Sequence, residues 1–322
     1  MFKIRISNKT LNGVRFIDLF CGIGGFHQAL SSYGAECVFA SEIDQKAKEV
    51  YQKNYKIEPK GDICKIKSKD IPKHDILCAG FPCQAFSISG KQNGFEDKNG
   101  KLFFEIVRIA RYHKPKVILL ENVKNLMSHN EGKTIATIEK SLQRIGYTTY
   151  KKVLCASDFG VPQVRKRLYI VALNNEYQPE EFSFPQPLKK KKKLKDILQK
   201  DVNSSFYINR EYIISSSDFG GNNGLIRLGS IGLGRQGERI YSIEGQAVTL
   251  SSQGGGIGGK TGLYYVNNGV RRLTPRECAR LMGFPESFKM GITEAECYKQ
   301  FGNSVVINVL QEIVREILKY FE

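Results

Sequence analysis

Apolar residues in the first half of the chain alternate between two rhythms. Val14-Arg15-Phe16-Ile17-Asp18-Leu19-Phe20, Glu36-Cys37-Val38-Phe39-Ala40, His74-Asp75-Ile76-Leu77-Cys78-Ala79 and Lys116-Val117-Ile118-Leu119-Leu120 are short, nearly continuous apolar runs. Runs of that length predict buried strands. Between them lie helical patterns. A glycine turn at Gly22 leads into a helix ending near Tyr33, and a second helix covers 44–54. Leu102, Phe103, Ile106, Ile109 and Ala110 recur at helical spacing, and residues 134–145 form another helix that stops at Gly146. This alternation predicts an α/β fold whose parallel sheet carries helices on both faces.

The rhythm breaks near Pro185-Gln186-Pro187 and the run Lys189 to Lys193. From there to about Arg272 the chain is rich in Gly, Ser and Asn, with short strand-like pieces. Gly254-Gly255-Gly256-Ile257-Gly258-Gly259 has no helical potential. A second, smaller, loop- and β-rich domain is predicted there. The last apolar pattern, 305–320, is helical and is expected to pack back on the first domain. The expected division is 1–187 plus 300–322, then 188–275, with 276–299 as connector.

Charge sharpens this picture. The chain has 322 residues, with 49 Lys and Arg against 32 Asp and Glu, so 49 − 32 gives +17. Such a surplus points to a polyanionic partner, most naturally nucleic acid; a lysine-rich compositional bias is the competing explanation. No leader and no long apolar run stands out, so a cytoplasmic protein without membrane contact is expected. Eight cysteines show no CxxC pair and the four histidines stand apart, which argues against a disulfide framework and against a metal site.

"DLFCGIGGF" (18–26) follows a strand and opens a helix. His27 stands where a dinucleotide fingerprint wants its third glycine. Glu42, about 20 residues on, can grip ribose hydroxyls, and Asp62, at the end of a possible third strand, can accept from an adenine amino group. There is no Walker lysine for phosphates. The combination suits a nucleoside without a pyrophosphate, such as S-adenosylmethionine; a turn needed only for strand–helix packing is the alternative.

Three further stretches converge at the carboxyl edge of the sheet: "GFPCQ" (80–84), "LLENVKN" (119–125) and "GVPQVRKRLYI" (160–170). Each alone is unremarkable. Together they offer a thiol, an acid and two arginines. Carbon 5 of cytosine is a poor nucleophile until a thiolate adds to carbon 6. An acid at ring N3 then prevents an unstable anion, and arginine holds the base oxygen and favours the thiolate.

At these residues the sequence resembles the DNA cytosine-5 methyltransferases. "DLFCGIGG", "GFPCQAFS", "ENVKN", "VPQVRKR", "RLTPRECARLMGFP" (272–285) and "QFGNSVV" (300–306) occur in that family's order and spacing. The resemblance implies a Rossmann-like S-adenosylmethionine-dependent methyltransferase sheet with a smaller target-recognition domain. It implies that Cys83 is the nucleophile, that Glu121 contacts N3, that Arg165 supports the base and that Arg167 helps hold Glu121. Phe20, Gly22, Gly24, Glu42, Ile43, Asp62, Ile63, Gly80, Pro82, Leu102, Asn303 and Val305 would bind the cofactor, Ile43 standing where relatives often have an aromatic. No metal is implied.

A paired cytosine must leave the stack to be reached. The polar, glycine-punctuated stretch 86–101 is expected to close on duplex DNA, with Gln84 and Ser89 near the gap and Lys91 on phosphate. In the second domain, "GRQGERIYS" (234–242) supplies Gln236 to fill the vacated stack and Arg239 to bind a guanine edge, with Thr249 and Gly256 close to the DNA. This segment and 260–273 resemble the recognition domain of the HhaI-type branch, whose members methylate the inner cytosine of GCGC. Gln253 replaces an aromatic there. The same resemblance implies a bacterial, nucleoid-associated enzyme, with a cognate restriction endonuclease as possible partner; a monomer is expected because a one-base modification needs no second subunit. Methylation of tRNA cytosine and an inactive DNA-binding regulator are the other readings. The first is disfavoured by the bacterial-type recognition segment, the second by the intact Cys83, Glu121 and Arg165.

Overall fold

The computed structural model describes residues 10–81, 101–215 and 224–321. Its main sheet has six strands: β1 (Arg15–Leu19), β2 (Glu36–Ser41), β3 (Ile76–Gly80), β4 (Val117–Val123), β5 (Tyr147–Cys155) and β6 (Lys166–Asn174). They lie in the order β2-β1-β3-β4-β6-β5. Side chains alternate between two cores. Phe16, Cys78 and Leu119 face α1 (Gly25–Ser31), α2 (Gln45–Tyr55) and α7 (Ile307–Ile317). Ile17, Leu77 and Ile118 face α3 (Lys101–His113) and α4 (Lys133–Gln143). Strands buried on both faces read as unbroken apolar runs, which is why these were visible in the sequence.

β1 pairs in parallel with β2 on one side and β3 on the other. The chain therefore leaves β1 in one direction and returns for β3 in the opposite one. Such a reversal opens a crevice at the carboxyl ends of the two strands, the usual ligand position in this architecture.

Several expectations need correction. The sheet is mixed, not wholly parallel: β6 runs antiparallel to both β4 and β5. Residues 156–165 make too short a return for a crossover helix, so the chain folds straight back. β4 does not stop at Leu120 but continues through Glu121 and Asn122, each opposite a β6 residue. Asp62 ends no strand. Only an isolated bridge, Ser41 to Lys60, forms there, and Asp62 instead caps a 3-10 turn by accepting from the Cys64 amide. The first helix follows its glycine turn as expected, past a left-handed Gly24, but stops at Ser31 and not at Tyr33. Apart from these corrections, residues 276–299 hold most of α5 (Pro275–Met282) and the first part of α6 (Glu294–Asn303).

A second sheet, ordered β11-β10-β9-β8-β7, comprises β7 (Ile213–Ile214), β8 (Arg227–Ser230), β9 (Arg239–Ser242), β10 (Leu263–Val266) and β11 (Gly269–Arg271). It is fused to the main body. Ala247, Leu250 and Tyr264 belong to the same apolar cluster as α1 and α7. Val164 donates to the Ala247 carbonyl, and Ala247 to that of Pro162.

One buried ion pair anchors this junction. The two terminal nitrogens of Arg271 each reach a different oxygen of Glu277 at 2.8 Å, with side chains 1% and 0% exposed. The amides of Gln199 and Thr274 fill the remaining acceptor positions of Glu277. Arg271→Met leaves that carboxylate buried without its cation. It should lower unfolding free energy by about 3–5 kcal/mol, read as a denaturant midpoint shift at unchanged slope. Arg271→Met combined with Glu277→Met should recover much of the loss.

Candidate active site

The crevice between β1 and β3 opens into a cavity of about 1010 Å³. At one end the cavity is a nucleoside-sized slot. Phe20, Gly22, Glu42, Ile43, Asp62, Ile63, Gly80, Leu102 and Asn303 all line it. Phe20 and Gly22 both have positive φ, 56° and 53°, so the chain turns sharply off β1 and exposes backbone. A side chain is tolerated there at a cost for Phe20, and glycine at none. Glu42 is more committed than its sequence position implied. Its Oε1 accepts from the amides of Ile43 and Asp44, and its Oε2 from that of Gly22, each at 2.8 Å. A carboxylate has about four lone-pair positions, so Glu42 retains room for one further donor on Oε2 rather than for a ribose pair on equal terms. Ile43 is 77% exposed at the rim.

Two residues assigned to this slot stand behind it. Gly24 carries φ 87° and packs under the Tyr55 ring, whose hydroxyl donates to the Gly24 carbonyl. Val305 is buried between Gly25 and Gly80.

The other end of the cavity holds the acid and the arginines. Glu121 lies in register with Gly80, the last residue of β3. Asn122, next to it, donates through Nδ2 to the Phe81 carbonyl at 2.9 Å. The chain thus enters the GFPCQ stretch pinned beside Glu121. Burial raises the Glu121 pKa above the usual carboxylate range, against the lowering pull of Arg167 and then Arg165. Arg167 Nε sits 3.2 Å from Glu121 Oε1 as an ion pair, yet among the described residues Oε1 has no aligned hydrogen bond. Arg165 is 2% exposed. It donates to the carbonyls of Leu250 at 3.1 Å, Gly302 at 3.0 Å and Ser304 at 2.7 Å. Its Nε is buried without a hydrogen-bond partner among the described residues. Burial, with the like charge of Arg167, pulls its pKa down to about 9.

Arg165 therefore ties three segments together, and glycine makes that possible. A Cβ on Gly302 would lie 2.4 Å from the Ser252 amide nitrogen, so only glycine lets the two backbones touch. Thr249 Oγ1 donates to the Val164 carbonyl at 2.6 Å. Gln163, 0% exposed, accepts from the Leu250 amide and donates to the Leu281 carbonyl. Thr249, Ser251, Ser252 and Gln236 thereby form the cavity's far wall. Arg239 and Gly256 are not part of that lining; Arg239 is exposed at the start of β9.

Pro82, Cys83, Gln84, Ser89 and Lys91 lie outside the described residues. Sequence reasoning missed one pair altogether. Lys299 on α6 reaches Asp44 at 2.6 Å across the cavity mouth, while Asp44 also caps α2. Lys299 holds the Asp44 carboxyl below its usual range. An Asp in the N-cap position was readable; a partner 255 residues away was not.

Comparison with known proteins now meets this geometry. A family model described as C-5 cytosine-specific DNA methylase matches residues 14–319. The Type II methyltransferase M.HhaI of Haemophilus parahaemolyticus is 50% identical over 317 residues, covering 98% of this chain and 97% of that protein. M.HpaII of Haemophilus parainfluenzae is 40% identical, over 94% and 89% respectively. Among solved structures, the S. pombe Dnmt2 methyltransferase superposes with a TM-score of 0.72 at 24% identity, covering 95% of this chain and 98% of that one. At that identity the superposition speaks for the fold alone. The family match spans nearly the whole chain, and the chain belongs to the C-5 cytosine-specific DNA methylases: it is a DNA cytosine-5 methyltransferase.

Proposed function

We propose that the enzyme methylates carbon 5 of the inner cytosine of GCGC in duplex DNA, flipping that base and attacking it through Cys83. The observation that carries this reading is a pair of buried polar atoms in one cavity, Glu121 Oε1 and Arg165 Nε, that find no hydrogen-bond partner among the described residues. Buried polar atoms are rarely left unpaired without a ligand or water to pair them. Cytosine offers an acceptor at O2 beside a ring nitrogen at N3. A protonated Glu121 donates to N3, and Arg165 donates to O2.

The slot end of the cavity fits S-adenosylmethionine. Glu42 keeps acceptor capacity for a ribose hydroxyl, and Phe20, Ile43, Ile63 and Leu102 give apolar faces for adenine. When bound, S-adenosylmethionine supplies an electrophilic methyl group on a sulfonium. The chain's own groups do the rest. Cys83 thiolate adds to carbon 6, which turns carbon 5 into an enamine carbon able to accept the methyl. Glu121 protonates N3, so no full negative charge builds on the ring. Arg167 keeps Glu121 turned to the base. Loss of the carbon 5 proton to solvent re-forms the ring double bond and expels the thiolate, and N3 returns its proton to Glu121. Pulling the base from the stack costs a few kcal/mol, and Gln236, at the cavity edge, fills the space it leaves.

GCGC is favoured because residues 234–242 and 260–273 resemble the recognition segment of the HhaI-type branch. A bacterial restriction–modification role, near the nucleoid and beside a cognate endonuclease, is proposed from the same likeness, and a monomer from the one-base modification, which needs no second subunit. Among the described residues no helix is long and apolar enough to cross a membrane.

The test is transfer of labelled methyl to duplexes that differ from GCGC by one base pair, with tRNA alongside. Carbon 5 labelling confined to GCGC is the expected result. Labelling of another duplex site would overturn the sequence assignment, and labelling of tRNA without duplex would overturn the substrate. The +17 charge also requires that duplex affinity fall steeply between low and physiological salt, as phosphate contacts release counterions.

A further inference from the structure

The loop between β8 and β9 holds a leucine out in solvent. Leu233 is 85% exposed, more than any other large apolar side chain among the described residues. Its position is enforced. Gly232 and Gly234 on either side have φ of 53° and 70°. Gly234 donates to the Ile231 carbonyl, and Ile231 donates to that of Glu238. The Arg235 amide donates to Glu238 Oε2 at 2.8 Å. Arg239 Nε donates to the Gly234 carbonyl at 3.3 Å, so its guanidinium lies against the leucine's own turn. Four hydrogen bonds and two left-handed glycines thus fix a tip whose apolar side chain stands almost wholly in solvent.

The surroundings say what covers it. Gln236, three residues on, lines the reaction cavity. Arg235 on the same loop and Arg239 at the start of β9 are both exposed. A lone apolar tip among arginines on the cavity's rim suits the groove of duplex DNA. There the phosphates meet the cations, and the one strongly apolar group on a base edge in the major groove is the thymine methyl.

We propose that Leu233 is a specificity-determining residue that reads the thymine methyl at a position flanking the recognition sequence. This rests on the GCGC reading above. GCGC contains no thymine, so a thymine methyl can meet Leu233 only outside it. The enzyme then prefers sites with a flanking thymine on the strand that Leu233 faces.

The experiment compares duplexes that carry the sequence the enzyme methylates, flanked on each side by thymine, uracil or cytosine. Uracil differs from thymine only by the methyl. At one flanking position the native enzyme should favour thymine over uracil in kcat/KM by about 4-fold, the worth of one buried methyl-sized group. Leu233→Ala should erase that preference while leaving the rate on the uracil duplex within about 2-fold, because an exposed side chain supports little else. Leu233→Met should restore most of it. No thymine–uracil difference at any flanking position, or one that Leu233→Ala keeps, overturns the proposal. Equal weakening by Leu233→Ala on every flank also overturns it, since that is a backbone contact. Failure of the GCGC reading would show separately, in which core sequence the native enzyme labels.

Discussion

Cys83→Ser is expected to bind duplex and cofactor but to transfer no methyl group. Without a bond at carbon 6, carbon 5 of cytosine has too little electron density to attack a sulfonium methyl. A serine hydroxyl in the same place stays protonated at neutral pH, whereas a thiol beside cations ionises readily. The chain reaches Cys83 from Gly80, which is in register with Glu121, and from Phe81, whose carbonyl Asn122 holds. Arg165 and Arg167 supply positive potential to the cavity that Glu121 shares. Two measurements check this. Labelled methyl transfer by Cys83→Ser should fall to background while gel-shift affinity for the duplex persists. A duplex with 5-fluorocytosine at the target should trap the native enzyme covalently once the cofactor is added, because fluorine cannot leave carbon 5 as a proton does. The variant should form no such complex. A native enzyme that never becomes trapped, or a serine variant that still transfers, would remove the covalent step.

Much of this arrangement was legible in the sequence for a physical reason. Strands such as Ile76–Gly80 and Val117–Val123 are covered on both faces, so their residues are apolar whichever way they point. Motif residues at strand ends could therefore be placed on one edge before any coordinates. The illegible parts depended on long-range pairing. Nothing in Lys166–Asn174 says that it lies antiparallel between β4 and β5, because an inserted strand is as apolar as a parallel one. Asp62 looked like a strand-end residue, but its side chain finds a closer partner in the Cys64 amide, and capping wins. Glu42 looked like a free ribose clamp, but three amides of its own turn and of β1's end already hold it. The second domain was visible as a change of composition. Its stitching to the first through Gln163, Arg165 and Gly302 was not, since carbonyl acceptors at 250, 302 and 304 leave no mark in a sequence.

Glu121→Gln should cost about 10²- to 10⁴-fold in kcat, the usual share of a positioned proton donor, and should change the shape of the pH profile as well as its height. Burial raises the Glu121 pKa, so the carboxyl keeps its proton to a higher pH than an exposed glutamate does. Below that raised value it can protonate N3. Above it, a carboxylate would face the N3 lone pair, so the native rate should fall as pH rises through it. Ionisation of Cys83 gives the opposite limb, and the two make a bell. Glutamine donates a hydrogen bond at every pH but transfers no proton, so the variant should lose the falling limb and keep the rising one. The sign also holds for stability. An acid whose folded pKa is raised stabilises the native state below the ordinary glutamate pKa, and that contribution disappears as pH rises through the folded value. Glu121→Gln should therefore flatten the decline of native stability across that window. A variant with native kcat, or one that is slow but retains the falling limb, would mean that a group other than Glu121 delivers the proton. Thermal unfolding of the same variant separates that outcome from a collapse of the Arg167 contact, which a rate measurement alone would not.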